Sequence, residues 1–599
     1  MNERISSYLG TMAVLTSPYS TLPQGMNIHQ WRRMRNSFGS PESALHACVR
    51  DNHILELRRL SSRCSAEELE YEAEGFGTPL QVAVLCDNMA AIEVLLHAGA
   101  DPLVVNPGEE TPTSAFNVAI RAGKRDIFNR LWDHTKPGIN AATRYPYATF
   151  LNEAASYGQA AIVEDLLDWC HGWSNAAKTF AINHAAARWE VHVISVLLSR
   201  LDYSQETITY AMHCAVGFKF GLYSEGFQAN YDGVDYLHQQ QVIAQLIEAG
   251  ADPNSKPRGE NLVIKAASSI DLAGGLKALL EKGADPNGRG RDGGSALHHL
   301  GSPVQVRQRP EKRLHETGIR LLMDHGASVT QRDIIGNTPL HFAAFGSNIR
   351  VFTLYADSLT NHDQDIALAA MENDNGETLL HWAAAGGKAD IVHQLLSRRL
   401  DVNSTTANGW TPLMCSLVPI ASMKKSHQVV QAATVLLTHG ADPVLCTAEG
   451  WTALHCLSLH LDDDAMSYMA QLAEDLLFRG APLQVPAPML IRRSTTSGTR
   501  LHGQDIGLWG SRVQDAMQLA ATAPDVVRRN GTPLHWAPYH GAVGVASALL
   551  AHGADAFAED ERGNTPARLA VESPLLTCTR GLDARDQLLQ VFREVGVDI

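Results

Sequence analysis

The chain of 599 residues carries 49 Lys and Arg against 64 Asp and Glu, a formal charge of −15, and is 45% hydrophobic and 19% charged. This is the composition of a folded protein, and it excludes both a disordered tail and the broad cationic surface on which nucleic-acid affinity rests. Nine cysteines, odd in number and never spaced C-x-x-C, exclude a disulfide framework, and no run of about 18 apolar residues predicts a membrane span. A soluble intracellular monomer, cytoplasmic or nuclear, is expected.

In chain order, residues 1–40 form a leader without repeat phrases, flexible or helical, whose basic cluster Trp31–Arg35 leaves a short docking or nuclear-import element open. From Ser43 onward one phrase recurs. It is degenerate at Ser43–His46, Thr111–Pro112, Asn152–Ala155, Asn183–Ala186, Ala211–Cys214 and Ser295–His298, and units also begin near Thr78 and Asn261. It is clear at Gly336-Asn-Thr-Pro-Leu-His341, Gly376–His381, Gly409–Met414, Gly450–His455, Asn530–His535 and Gly563–Ala567. A second phrase, Gly-Ala-Asp-Pro or close to it, closes units at Gly99, Gly250, Gly283, Gly326, Gly440 and Gly553. Thr378 to Thr411, Thr532 to Thr565 and Gly250 to Gly283 are each 33 residues apart, which sets the period.

The chemistry of the phrases predicts two helices per unit. Thr before Pro places a capping hydroxyl ahead of a residue whose φ is already helical and whose missing N–H has no helical partner. Apolar residues at helical spacing, as in Ile92, Val94, Leu95 and Leu96, predict the second helix, and the following glycine supplies the left-handed residue that ends it. This pattern resembles the ankyrin repeat family, whose signature is T-P-L-H-x-A. The resemblance implies an all-α repeat fold, an ankyrin-repeat α-solenoid of helix-turn-helix units with short β-turn fingers. It also implies that the phrase histidines bond neighbouring turn backbone. Thirteen or fourteen units are expected. They occupy 41–483, with insertions near 218–239 and 304–315, and 529–599, where Arg585–Val597 is a capping helix. The segment 484–528 reads as a long insertion, partly disordered, with one helix over Gly510–Leu519 and candidate phosphorylation sites at Ser494 and Thr495.

Chemistry is sparse. Gly288-Arg-Gly-Arg-Asp-Gly293 matches a dinucleotide fingerprint, but it lacks the preceding strand and reads as a turn. His315-Glu316 lacks the second histidine of a zinc helix, and no phosphate loop, nucleophile elbow or kinase signature is present. Asp462–Asp464 reads as a solvated turn. Leu395–Asn403 is similar to ankyrin sequences that asparaginyl hydroxylases modify. No catalytic residue, metal or cofactor is assigned.

The resemblance implies one or more protein partners, bound on projecting turns and the concave face of the first helices. The candidate contacts are Ile334, Ile335, Asn337, Phe345, Asp374, Glu377, Trp410, Trp451, Tyr539 and His540, with Trp410 and Trp451 foremost because large aromatics dominate interface energetics. A non-enzymatic interaction protein is the principal expectation. A substrate adaptor of a larger assembly such as a ubiquitin ligase, docked through 1–40, and an enzyme with a site built on the repeats are the alternatives.

Overall fold

The computed structural model describes residues 43–72, 77–105, 113–138, 140–216, 233–268, 272–301, 312–359, 368–418, 426–460, 466–492, 526–576 and 579–598. The leader, the aromatic residues of 218–231, the basic residues Arg307 and Arg309, Asp462–Asp464, Gly510–Leu519, Ser494 and Thr495 lie outside the described residues.

Two compact units divide the chain, Met1–Asp285 and Pro286–Ile599. Among the described residues of the first, helices pair in seven successive hairpins. These are Ala44–Arg50 with Ile54–Ser61, Pro79–Leu85 with Met89–Ala98, Ala115–Arg121 with Arg125–Thr135, Tyr147–Ser156 with Ala160–Trp169, Asn175–Ala187 with Val191–Arg200, Gln205–Val216 with Gly233–Glu248, and Leu262–Ser268 with Leu272–Glu281. The second unit has seven more: Ala296–Gly301 with Lys312–Asp324, Pro339–Gly346 with Ile349–Asp357, Leu379–Ala385 with Ala389–Ser397, Pro412–Leu417 with Ser426–Thr438, Ala453–Leu457 with Met466–Phe478, Pro533–His540 with Val543–Ala551, and Pro566–Glu572 with Thr579–Glu594. First helices pack on first helices and second on second along each unit. The first helices approach closely because their shared faces are alanine, as at Ala154, Ala155, Ala185, Ala343, Ala344, Ala383 and Ala384, all fully buried. The second helices carry the bulk: Ile92, Leu95, Ile162, Leu166, Ile391 and Leu395 are fully buried.

The caps act as the sequence implies. Thr78, Thr411, Thr452 and Thr565 accept a hydrogen bond from the third helical N–H. Several first helices begin away from the degenerate phrases: those at Tyr147, Asn175 and Gln205 start ahead of Asn152–Ala155, Asn183–Ala186 and Ala211–Cys214. The unit placed around Thr111–Pro112, which lie outside the described residues, has its first helix from Ala115, capped by Ser114. Between Asn140 and Met212, where turn phrases are missing, amphipathic spacing and the capping hydroxyls of Ser174 and Ser204 specify the helices.

Neighbouring second helices are also linked by ion pairs: Arg130 with Glu93, Arg125 with Asp165, Arg200 with Asp168 and Lys282 with Glu248. Most are partly exposed, so each contributes at most about 1 kcal/mol.

The long insertion is more regular at its ends than expected. Residues β1 (Ala487–Arg492) and β2 (Val526–Gly531) pair antiparallel, with Ala487 opposite Gly531 and Arg492 opposite Val526. Pro486 and Pro488 read as loop punctuation, whereas the Met489–Ile491 and Val526–Val527 runs are short apolar strands. Gly450, at φ +91, sits against this stem: a Cβ there would lie 2.5 Å from the Pro486 carbonyl oxygen. Gly440 has a similar φ of +88 but open space around it. Gly440→Ala is expected to cost about 1–2 kcal/mol for the left-handed backbone, and Gly450→Ala distinctly more. Urea midpoints of the two variants test this, and equal midpoints would contradict it.

Candidate functional site

The phrase histidines build the scaffold of any site. In His298, His341, His381, His455 and His535, Nδ1 accepts the backbone N–H of the helix-capping Ser or Thr at 2.9–3.2 Å. A backbone N–H only donates, so Nδ1 carries the lone pair and Nε2 the proton. Nε2 then donates to a carbonyl of the following turn: Asn337 at 3.1 Å, Glu377 at 3.2 Å, Trp410 at 3.0 Å, Gly531 at 3.3 Å and Ala558 at 3.1 Å respectively. Burial holds all five below the ordinary histidine range, His341 and His455 down to about 3. The histidines ahead of the closing glycine work the other way. Nδ1 of His97, His325 and His439 donates to the carbonyl four residues back, at 2.7, 2.8 and 2.8 Å. Both groups bond backbone, and for the first this is what the resemblance implies.

The turns of the second unit form a row. The backbone N–H of Ile334 donates to Asp292, Asp374 to Ile335, Ala407 to Asn375 and Ala448 to Asn408, at 3.1, 3.1, 2.9 and 3.3 Å. Within each turn a short polar side chain closes the loop. Asp333 Oδ1 accepts from the N–H groups of Ile335 and Asn337, Asn373 Oδ1 from Asn375 and Glu377, and the Thr406 and Thr447 hydroxyls from Trp410 and Trp451. Asn403 bridges successive units, donating to the Gly440 carbonyl at 3.2 Å and accepting from the Asp442 N–H at 2.8 Å.

This row sorts the ten candidate contacts. Ile334 is 69% exposed. Asp374 is exposed beside Arg332 at 2.9 Å, Ile335 is half-buried, and His540 is half-buried with its pKa pushed down to about 4 by burial and by His460. The other six are not at the surface. Asn337 and Glu377 are buried in a polar link, in which the Asn373 amide donates to Asn337 Oδ1 at 2.8 Å and to Glu377 Oε2 at 2.6 Å, and the Trp382 indole donates to the same Glu377 oxygen at 3.1 Å. Trp410 and Trp451, 1% and 2% exposed, lie under the next turn with ring centroids 5.5 Å apart, and Trp451 meets Trp536 edge-on at 4.3 Å. Phe345 and Tyr539, 4% and 3% exposed, are covered by the next first helix. The expectation that these six side chains are exposed is corrected: Asn337, Glu377, Trp410 and Trp451 each directly precede a capping Thr and point inward, and Phe345 and Tyr539 lie on first helices packed against the next one.

Family comparison agrees with this geometry. The ankyrin repeat model matches residues 77–107, the model for many copies of ankyrin repeats matches 313–354, and that for three copies matches 356–419. The chain is an ankyrin-repeat protein. Its relatives include a Danio rerio protein named for palmitoyltransferase ZDHHC13, 28% identical over 204 residues, which are 33% of this chain and 28% of the relative. Human SH3 and multiple ankyrin repeat domains protein 2 is 28% identical over 190 residues, 31% of this chain and 9% of that protein. Palmitoyltransferase AKR1 of Lachancea kluyveri is 33% identical over 129 residues, 22% of this chain and 16% of that protein. This ankyrin-repeat chain thus aligns with less than a third of the length of each of these relatives.

Among the described residues no group of three or more His, Cys, Asp or Glu is placed to hold a metal ion, and no helix is long and apolar enough to cross a membrane. Gly288–Gly293 follows no strand and folds as a turn closed by the Gly290 N–H on the Gly294 carbonyl at 2.8 Å. The sequence reading missed a second accessible surface, the inner-helix face of the Met1–Asp285 unit. Phe180 is 56% exposed there, and Tyr157, His184 and Arg188 are half-buried. The spacing 180, 184, 188 signals it, one residue per helical turn on a helix that lacks the phrase.

Proposed function

We propose that this ankyrin-repeat protein is a non-enzymatic interaction scaffold that recognises one or more protein partners through its turn tips and inner-helix faces. The observation that carries the reading is the division of labour in the turn row. Backbone bonds and buried Asn, Glu and Trp side chains fix the turns, and Ile334 and Asp374 project from them without a structural load comparable to that of Glu377 or Trp451. Rigidly presented surface side chains form an interface with little ordering cost. The transferase activity in the names of two relatives belongs to those proteins, of which the aligned stretch is a small fraction. The proposed setting is an intracellular monomer, cytoplasmic or nuclear, without nucleic acid.

The test is affinity capture with the full chain and an Ile334→Glu/Asp374→Lys double variant. Both positions are open to solvent, so the variant is expected to keep its melting temperature within about 2 °C. Loss of a captured partner together with an unchanged melting temperature supports the reading, and undiminished capture removes these tips from it.

A further inference from the structure

On the helix Asn175–Ala187, Phe180 and His184 lie one turn apart, and Arg188 follows at the helix end, so the three line one face. The Phe180 and His184 rings stack with centroids 5.8 Å apart. Tyr157, which closes the preceding first helix, lies with its ring centroid 5.1 Å from the Arg188 guanidinium and 5.9 Å from that of Arg121, one hairpin further back. These two arginines differ in one respect. Arg121 is neutralised by Glu153, a carboxylate that Asn117 also engages. The Arg188 backbone N–H donates to the His184 carbonyl, but among the described residues its guanidinium makes no hydrogen bond and no ion pair, and its Nε is buried without an acceptor. The Tyr157 ring serves the face of the guanidinium, but the in-plane N–H groups, its strongest donors, find no partner among the described residues.

We propose that this face binds an acidic peptide segment of a protein partner, with a carboxylate pairing with Arg188 and an adjoining apolar side chain lying against Phe180 and Tyr157. The inference rests on the interaction-scaffold reading and names the chemistry of a partner. Two observations choose the occupant. A guanidinium with no counterion among the described residues, beside the half-buried Tyr157 ring and two helical turns from the exposed Phe180, matches a carboxylate flanked by apolar atoms, because the guanidinium fork pairs with carboxylates in its own plane while its faces stack on rings. The chain as a whole carries −15, so an acidic segment gains little from the net field and is drawn to the locally uncompensated Arg188.

The experiment is fluorescence anisotropy of the full chain with a short labelled peptide of Glu, Leu and Tyr, beside versions with Gln or Lys in place of Glu and a single-stranded oligonucleotide. The acidic peptide is expected to bind and to be released by added salt, and the Gln and Lys versions to bind much more weakly. Arg188→Glu is expected to weaken binding about tenfold or more, equivalent to about 1.4 kcal/mol. Phe180→Ala is expected to weaken it several-fold, and Arg562→Glu, an exposed cation of the other unit, to leave it unchanged. If Arg188→Glu fails to fold by circular dichroism, Arg188→Gln and Phe180→Ala carry the comparison. No binding by the intact chain, equal binding by the Arg188 and Phe180 variants, or preference for the oligonucleotide overturns the proposal. Its failure is distinct from that of the scaffold reading, which is decided by partner capture through Ile334 and Asp374.

Discussion

Replacing Trp451 with alanine is expected to lower the stability of the Pro286–Ile599 unit by about 3–5 kcal/mol, the range for deleting a fully buried large aromatic. The indole is 2% exposed, lies 4.3 Å from the Trp536 ring and 5.5 Å from the Trp410 ring, and its backbone closes the 447–451 turn on Thr447. Deletion therefore opens a cavity where three successive repeats meet. Urea denaturation followed by circular dichroism measures the loss as a lower midpoint, and Trp451→Phe is expected to recover most of it. An unchanged midpoint for Trp451→Ala would show that the ring is not packed as described. A partner lost by this variant reports a loosened scaffold and not a missing contact.

Acid is expected to destabilise the same unit well before its carboxylates are protonated. His341 and His455 are held neutral at pKa values of about 3, chiefly by burial, against about 6.5 in an unfolded chain. Between those limits the unfolded state binds more protons than the folded one. The stability contributed by neutral burial is complete above about pH 6.5 and is lost as pH falls towards 3. Each such histidine adds a slope of roughly 1.4 kcal/mol per pH unit once pH is well below 6.5. The chain supplies its own control. At Thr78 the equivalent position is Gln81, whose Oε1 accepts the capping N–H at 3.1 Å and whose Nε2 donates to the Thr113 carbonyl at 2.9 Å, the same two bonds without a titrating group. His341→Gln/His455→Gln is expected to retain the fold and to flatten the urea midpoint between pH 6.5 and 5. A slope equal to that of the parent would refute the assignment.

Much of this architecture is legible in the sequence because each repeat phrase encodes its own local chemistry. Thr-Pro sets a helix start, His three residues later closes the cap, and Gly ends the second helix, whatever the neighbours are. Exposure is not encoded locally. Asp374 and Glu377 are both acidic and three residues apart in one turn, yet the first side chain is 61% exposed and the second residue 3%. What separates them is their partners: Glu377 accepts from Asn373 and Trp382 inside the stack, while Asp374 pairs with Arg332 at the surface. Trp410 and Trp451 are each met by the tryptophan of the next repeat. The β1–β2 stem escaped notice because its strands are separated by 33 residues, far beyond hairpin-turn signals. The Tyr157–Arg188 contact joins hairpins whose turn phrases are missing, so no motif marked the place.

The central claim is that recognition belongs to the projecting side chains while the tryptophans hold the stack. Hydroxyl-radical footprinting of the full chain, free and with a captured partner, tests it most directly. The predicted result is that Ile334 is labelled in the free chain and protected by the partner, while Trp410 and Trp451 stay unlabelled in both states. Tryptophans that label readily in the free chain and become protected on binding, with Ile334 unchanged, would contradict it.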